Sequence, residues 1–181
     1  MTRPVQVAGS RFEWRLLEAG PRSYQLIADG QTVAILRFEK RCGTLATAEW
    51  LPHPGFRWTC KRIGFWSPRV TVREAGWETE LAVFTPSWSG GGELAFSGRH
   101  TFQLKSINGW GRGWAFETEE GNEVARLHAP HGLVRSHVEM TLGPAAAATF
   151  ETPLLLLLLC YLRVLMQDDA ATAGMLAALH A

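Results

Sequence analysis

Cysteine is scarce in this sequence, and the spacings that would pair cysteines are absent. Cys42, Cys60 and Cys160 lie far apart in the chain, and no CxxC motif occurs. An odd number of widely spaced cysteines argues against a disulfide framework and is typical of a reducing compartment. The first ten residues also lack an apolar run long enough for a secretory signal. We therefore expect a cytoplasmic protein.

The motifs that identify common catalytic sites are also missing. The sequence has no P-loop, no GxSxG and no HExxH, and nothing pairs a serine with a histidine and an acid. The glycine-rich stretch 109–113 does not open a helix, so phosphate binding is not expected there. His128, His131 and His137 could hold a metal, but their spacing matches no recognised zinc pattern. Ordinary loop and strand histidines are the simpler interpretation, and we predict a non-enzymatic protein with no cofactor.

No uninterrupted apolar run is long enough to cross a bilayer, although one segment is strongly apolar. Leu154–Leu162 is an unbroken run of nine residues, and Arg163 follows it, whereas a spanning helix needs about 20. Thr152 and Pro153 are typical of a helix start, with Thr as the N-cap and Pro at the first helical position. At 3.6 residues per turn the run covers every face of a helix, so a helix over about 153–167 must be buried on all sides. We expect it to provide no membrane anchor.

The residues before this segment are mostly short stretches with the composition or alternation of β-strands. Asp29-Gly30 between two of them is a strong hairpin signal. Eleven or twelve such stretches precede the apolar segment. They are residues 12–17, 24–28, 32–38, 44–50, 56–63, 70–73, 80–84, 93–96, 101–105, 113–117, 123–128 and 133–140.

A closed antiparallel barrel around a central helix accommodates both parts of the chain. Closure leaves the sheet without edge strands, and the barrel covers the helix on all sides. Because an eight-stranded barrel is filled by its own side chains, an enclosed helix requires the larger number of strands found here. The sequence therefore predicts one mainly β domain over residues 1–181: a roughly twelve-stranded barrel over about 12–140 around a C-terminal hydrophobic helix.

Two segments of the chain are similar to each other at an offset of 91 residues. Asp29-Gly-Gln-Thr-Val-Ala-Ile-Leu36 matches Glu120-Gly-Asn-Glu-Val-Ala-Arg-Leu127, and an aromatic-Gln-Leu triplet precedes each, at Tyr24–Leu26 and Phe102–Leu104. Either hairpins have converged on an acidic-Gly turn, or the barrel consists of two related halves.

With the many short strands and the terminal Pro-Leu-Leu-rich segment, these hairpins resemble the LURP-one-related group of the Tubby C-terminal-like superfamily, which includes the phospholipid scramblases. The resemblance spans roughly Tyr24 to Met166 and lies in the layout, not in a catalytic motif. It implies a twelve-stranded barrel around a hydrophobic helix. Tubby proteins bind phosphoinositide head groups through basic residues, but no matching motif occurs here and no such residue is transferred.

Basic residues are concentrated in one part of the sequence. Residues 37–73 contain eight basic residues against two acidic ones, whereas residues 74–123 contain eight acidic residues against three basic ones. Trp58 and Trp66 are interleaved with the basic residues, as at a lipid interface. The alternative is that charges cover outward strand positions while tryptophan fills the core. Adjacent basic pairs should place at least one side chain outward, so the predicted lipid-binding residues are Lys40, Arg41, Lys61 and Arg62.

The function predicted from these patterns is a binding or scaffold module whose candidate partner is an anionic phospholipid surface. The net charge of +1 gives no general attraction to nucleic acid, and no protein partner can be named. One alternative is a barrel-type carrier of a small apolar ligand, which a helix in the lumen disfavours. Another is an uncharacterised enzyme, for which no constellation of residues provides support.

Overall fold

A closed antiparallel barrel of twelve strands forms most of the described structure. The computed structural model describes residues 11–17, 22–53, 55–88, 90–98, 100–107, 113–128 and 138–178. The strands are β1 (Arg11–Leu17), β2 (Ser23–Ala28), β3 (Gln31–Phe38), β4 (Ala46–Trp50), β5 (Arg57–Ile63), β6 (Arg69–Glu74), β7 (Glu80–Pro86), β8 (Gly92–Phe96), β9 (Thr101–Ser106), β10 (Gly113–Thr118), β11 (Glu123–His128) and β12 (Val138–Leu142). They follow one another in chain order, and β1 pairs with β12 to close the ring.

The predicted strands correspond to these twelve, with shifts of a few residues at their ends. The largest shift concerns the last strand, which was predicted over residues 133–140 and is observed at Val138–Leu142. Residues 133–137 of that prediction lie outside the described residues. A 3₁₀ turn at Ala146–Ala148 and the helix α1 (Thr152–Ala178) follow the barrel. The predicted fold class is confirmed.

The first part of α1 is apolar on every side and buried on every side. Leu156 and Leu158 are completely inaccessible to solvent, and Leu162, at 5% exposed, is among the most accessible of the run. The helix forms one continuous core with the inward side chains of the barrel, including Phe84 and Met140. Because the barrel surrounds it, this helix needs no polar stripe.

Small side chains face the helix on the strands closest to it. The strands nearest α1 are β3, β4, β10 and β11. Ala34, Ala48 and Ala125 occupy inward positions on these strands and are fully buried. A methyl side chain lets the strand backbone approach the leucine side chains without leaving a void, as close packing of a core requires.

The start of α1 differs from the prediction. The carbonyl of Glu151 accepts the first helical hydrogen bond, from the Leu155 N–H at 3.0 Å, so Thr152 is the first helical residue and Pro153 the second. The Thr152 hydroxyl lies 2.9 Å from the Ala146 carbonyl and 2.8 Å from the Thr149 carbonyl. It therefore donates to the preceding turn, whereas an N-cap side chain accepts from a helix N–H. The N-cap role predicted for Thr152 is wrong.

The end of α1 also lies elsewhere than expected. The helix continues to Ala178, whereas the prediction ended it near residue 167. The acidic residues Asp168 and Asp169 suggested a helix end, but each is held by an arginine of the barrel and the helix passes through them. From Asp169 onwards, every residue whose side chain is described is exposed.

The two similar segments form equivalent hairpins but not equivalent halves of the barrel. Asp29 and Gly30 turn between β2 and β3 with φ values of 50° and 76°, as a type I′ turn requires. Gly121, with φ of 81°, turns between β10 and β11. These hairpins are eight strands apart, whereas two related halves of a twelve-stranded barrel would place them six apart. The triplet Phe102–Leu104 lies in β9, outside the second hairpin, so convergence on turn chemistry explains the similarity.

Candidate functional site

The two ends of the barrel are formed by different connections. Because neighbouring strands are antiparallel and follow chain order, connections after odd-numbered strands lie at one end and those after even-numbered strands at the other. The helix α1 begins beyond β12, at the end that we call the floor. It leaves through the opposite end, which we call the mouth, where the Tyr161 hydroxyl donates to the Thr44 carbonyl at 2.6 Å. Burial raises the pKa of Tyr161, so the phenol stays protonated as a donor.

Two arginines of the barrel bind the helix where it leaves the mouth. Arg22 forms a bidentate pair with Asp168, at 2.8 and 2.7 Å, and its guanidinium lies 4.8 Å from the centre of the Phe38 ring. Arg62 contacts both carboxylate oxygens of Asp169, at 2.9 and 2.7 Å. Charge-assisted bonds of this geometry fix both register and direction. They hold α1 in the lumen and neutralise the two aspartates of the helix at the mouth.

The structure separates the four residues predicted to bind lipid. Lys40 and Arg41 are exposed in the connection between β3 and β4, and Lys61 is exposed near the mouth end of β5. Among the described residues, none of these three forms an ion pair. The side chain of Arg62 instead binds the carboxylate of Asp169, where the helix leaves the barrel. Three of the four are therefore unpaired cations at the mouth, whereas Arg62 holds the helix through its ion pair with Asp169.

The two tryptophans associated with the basic segment also have different positions. Trp58 is 7% exposed and belongs to the core, whereas Trp66 is 93% exposed. Phe65 beside it is 87% exposed, and the two rings meet edge to face with centroids 5.2 Å apart. Arg69 follows at the start of β6, exposed and without an ion pair among the residues described. We call Phe65 and Trp66 the aromatic tip.

The aromatic tip depends on a tight turn between β5 and β6. Gly64 has φ of 84°, a conformation that favours glycine. A Cβ at this position would lie 2.5 Å from the Ser67 carbonyl oxygen. The turn therefore closes only with glycine, and it leaves the two aromatic rings outside the barrel. Gly64 and Pro68 on either side of two large apolar residues were the sequence signal for this tip, and Phe65 and Arg69 were not predicted.

Carboxylates are concentrated at the floor. The connections after even-numbered strands, together with the strand ends beside them, carry exposed acidic side chains. These are Asp29, Glu74, Glu78, Glu119 and Glu120. At the mouth, Glu39 lies in the same connection as Lys40 and Arg41, and Glu93 and Glu139 are exposed near the starts of β8 and β12, so three carboxylates partly offset the positive charge. Among the described residues, the charge asymmetry of the sequence therefore lies partly along the barrel axis, with most of the unpaired cations at the mouth and most of the exposed carboxylates at the floor.

The lumen of the described barrel has no room for a ligand, whereas the outer surface of the barrel has shallow grooves. The lumen is filled by α1 and by inward side chains of the barrel. Grooves of about 240 to 410 Å³ lie at the floor, one lined by Trp77 and Leu81 and another by Leu51 and Phe56. A carrier needs an enclosed apolar cavity, and the position where a lipocalin-like barrel holds its ligand is here occupied by leucine side chains.

The histidines considered as metal ligands are only partly within the described structure. His128 is exposed at the end of β11, and His131 and His137 lie outside the described residues. Within the described ranges, no three His, Cys, Asp or Glu side chains are grouped so that they could hold a metal ion.

Two of the three cysteines lie in the core, which leads to a prediction about their reactivity. Cys60 and Cys160 are buried, whereas Cys42 is exposed. Burial raises the pKa of Cys60 to about 12 and that of Cys160 well above its ordinary value, so both thiols stay protonated near neutral pH. We expect a thiol reagent to modify one cysteine in the native protein and all three in denaturant. Rapid modification of more than one native thiol would contradict these positions.

Comparisons of the chain with family models, curated proteins and solved structures give no match. In the part of the chain that is described, no helix combines the length and the hydropathy that a bilayer span requires. The geometry of the mouth is therefore the basis for a functional assignment.

Proposed function

We propose that this protein is a non-enzymatic binding module that contacts anionic phospholipid surfaces through the mouth of its barrel. The observation that carries this proposal is the group of unpaired cations that share the mouth with the aromatic tip, at the end of the barrel opposite most of the exposed carboxylates. The cations are Lys40, Arg41, Lys61 and Arg69. Arg62, one of the four residues predicted from the sequence, is excluded because it binds Asp169, and Arg69 is added.

The magnitude of the attraction decides what kind of contact this surface can make. A lysine or arginine near an anionic leaflet contributes about 1 kcal/mol, and salt screens it over a Debye length of about 10 Å at 0.1 M. Four such cations, partly offset by Glu39, Glu93 and Glu139, support reversible binding but not permanent anchoring. The carboxylates of the floor are repelled by the same surface, so the two ends together orient the barrel with its mouth towards the lipid.

Two further features support this assignment. A closed twelve-stranded barrel around a buried C-terminal helix is the layout that the resemblance to the LURP-one-related group implies, and we propose membership of the Tubby C-terminal-like superfamily on that basis. Free Cys42, Cys60 and Cys160 suit a reducing compartment. We therefore propose that the protein acts in the cytoplasm, at the anionic leaflet of a membrane.

Co-sedimentation with liposomes tests the proposal. We expect the protein to bind anionic vesicles at low salt, to bind neutral vesicles weakly, and to lose binding to anionic vesicles as salt rises. Reversing Lys40 or Arg41 to Glu removes one attractive charge and adds one repulsive charge, so each reversal should weaken binding about thirtyfold at low salt. Both residues are exposed and lie in a connection, so these variants should fold normally.

A matched control is available at the opposite end of the barrel. Arg11 begins β1 at the floor, is exposed, and forms no ion pair among the described residues. Arg11→Glu changes the net charge as much as Arg41→Glu does, but should leave binding almost unchanged. Equal effects of the two reversals would mean that only net charge matters, and equal recovery with neutral and anionic vesicles, or no recovery with either, would leave only a protein-scaffold role.

A further inference from the structure

The mouth presents apolar side chains as well as cations. These apolar side chains are suited to contact the membrane layer beneath the lipid head groups. Phe65 and Trp66 are almost fully exposed, and Trp88, in the connection between β7 and β8, is fully exposed at the same end. Large aromatic side chains in water are unfavourable unless a partner covers them. Tryptophan in particular prefers the interfacial region of a bilayer, where its ring is apolar and its N–H stays hydrated.

The end of α1 is the second apolar element at the mouth. Beyond the Arg62–Asp169 pair, residues 170–178 are helical and carry no charged side chain. They extend about 13 Å past the pair, at about 1.5 Å per residue. Their direction is set by the buried run Leu154–Leu162 in the lumen, so the helix leaves along the barrel axis. Met175 in this part is 69% exposed.

Charge identifies the partner that covers these groups. A second copy of the chain meeting the mouth symmetrically would place Lys40, Arg41, Lys61 and Arg69 against the same residues of its partner, and like charges at that distance repel. An anionic lipid surface has the opposite charge at its head groups and an apolar layer directly beneath them. The cations of the mouth suit the anionic head groups, and its exposed aromatic rings and helix end suit the apolar layer beneath them.

We propose that the aromatic tip and the projecting end of α1 insert between the lipid head groups, so that the barrel axis stands across the membrane surface. This inference rests on the proposed function and adds a penetrating, salt-resistant component to it. Electrostatic attraction brings the mouth to the surface, and insertion of Phe65 and Trp66 then removes their rings from water.

Binding at high salt tests insertion separately from electrostatic attraction. For the wild-type protein, we expect affinity for anionic vesicles to fall with salt to a plateau above zero. Trp66→Ala should lower that plateau about tenfold, since one large side chain is no longer buried. Met175→Asp, at an exposed position that the fold tolerates, should lower it as well. Trp77→Ala is the matched control, because Trp77 is 68% exposed but lies at the floor between β6 and β7.

Fluorescence gives a second readout that does not depend on affinity. Adding vesicles should shift the emission of the wild-type protein and of Trp77→Ala to the blue, and brominated lipid should quench it, whereas both effects should be clearly smaller in Trp66→Ala, with the remainder due to Trp88.

The outcomes separate this inference from the proposed function. Absence of any binding by the wild-type protein overturns both. Binding that disappears completely with salt and is equal in Trp66→Ala and Trp77→Ala overturns insertion alone. A lipid-free dimer that Trp66→Ala converts to a monomer would also overturn insertion, because a second copy would then cover the tip.

Discussion

Replacing Leu157 with Asp is expected to prevent the protein from folding. Leu157 is 1% exposed in the middle of the enclosed part of α1. Its neighbours in the lumen are apolar side chains of the helix and the barrel, so a carboxylate there would have neither water nor a partner. An unpaired buried charge together with the lost leucine packing costs several kcal/mol, comparable with the total stability of about 5–15 kcal/mol of a domain.

The same substitution further along the helix provides the control. Ala171 is exposed in the part of α1 beyond the mouth, and Ala171→Asp should leave soluble yield and the far-ultraviolet circular dichroism spectrum unchanged. Leu157→Asp should give little soluble protein and no cooperative thermal unfolding. A stable, cooperatively folded Leu157→Asp variant would mean that this face of α1 reaches solvent and does not lie in a closed lumen.

Replacing Gly143 with Ala is expected to produce the second largest effect. Gly143 directly follows β12, where the chain turns towards the helix, and its N–H donates to the Val124 carbonyl at 2.9 Å. A Cβ on Gly143 would overlap the backbone carbonyl of Glu123, which also accepts from the Ala145 N–H at 3.0 Å. Because the obstacle is backbone, rotation of a side chain cannot relieve it. We expect a loss of about 3 kcal/mol in the free energy of unfolding, the upper end of the usual range for overpacking.

A glycine with open surroundings should respond in the opposite direction. Gly174 lies in the projecting part of α1, and no atom comes within 4 Å of an added Cβ. Gly174→Ala should therefore stabilise the protein slightly, by less than about 1 kcal/mol, through the higher helix propensity of alanine. Chemical denaturation of both variants measures the two changes. Equal stabilities would mean that the chain at Gly143 can move away from β11 at little cost.

Much of the architecture follows from local patterns in the sequence. Alternation and turn residues locate all twelve strands, and the absence of a polar stripe on Leu154–Leu162 requires burial on every side, which a closed sheet supplies. The end of α1 could not be found in this way. Asp168 is polar and adjacent to another acid, and its partner Arg22 is 146 residues away, so a local pattern contains no sign of the contact that keeps the helix intact.

Local patterns in the sequence also predict part of the candidate site, namely its exposed cations, but not their pairing or the end of the barrel on which they lie. Adjacent basic residues at Lys40 and Arg41 lie in a connection and are exposed, as their position between two strand patterns indicates. Arg62 also belongs to an adjacent basic pair, but it binds Asp169, whose position depends on the path of the helix. The separation of charge between mouth and floor depends on whether each connection follows an odd or an even strand. An odd or even strand number identifies one end of the barrel only when every strand has been counted and the sheet is known to close.

The position of the lumen-filling helix after all twelve strands has a consequence for biosynthesis. A ribosome completes all twelve strands before it makes Leu154–Leu162, so the nascent sheet has no centre on which to close. Its inward apolar side chains stay uncovered during that interval, and its first and last strands, β1 and β12, remain open edges. Closure of the barrel around the helix therefore follows synthesis of the helix, which sets the earliest time at which the domain becomes native.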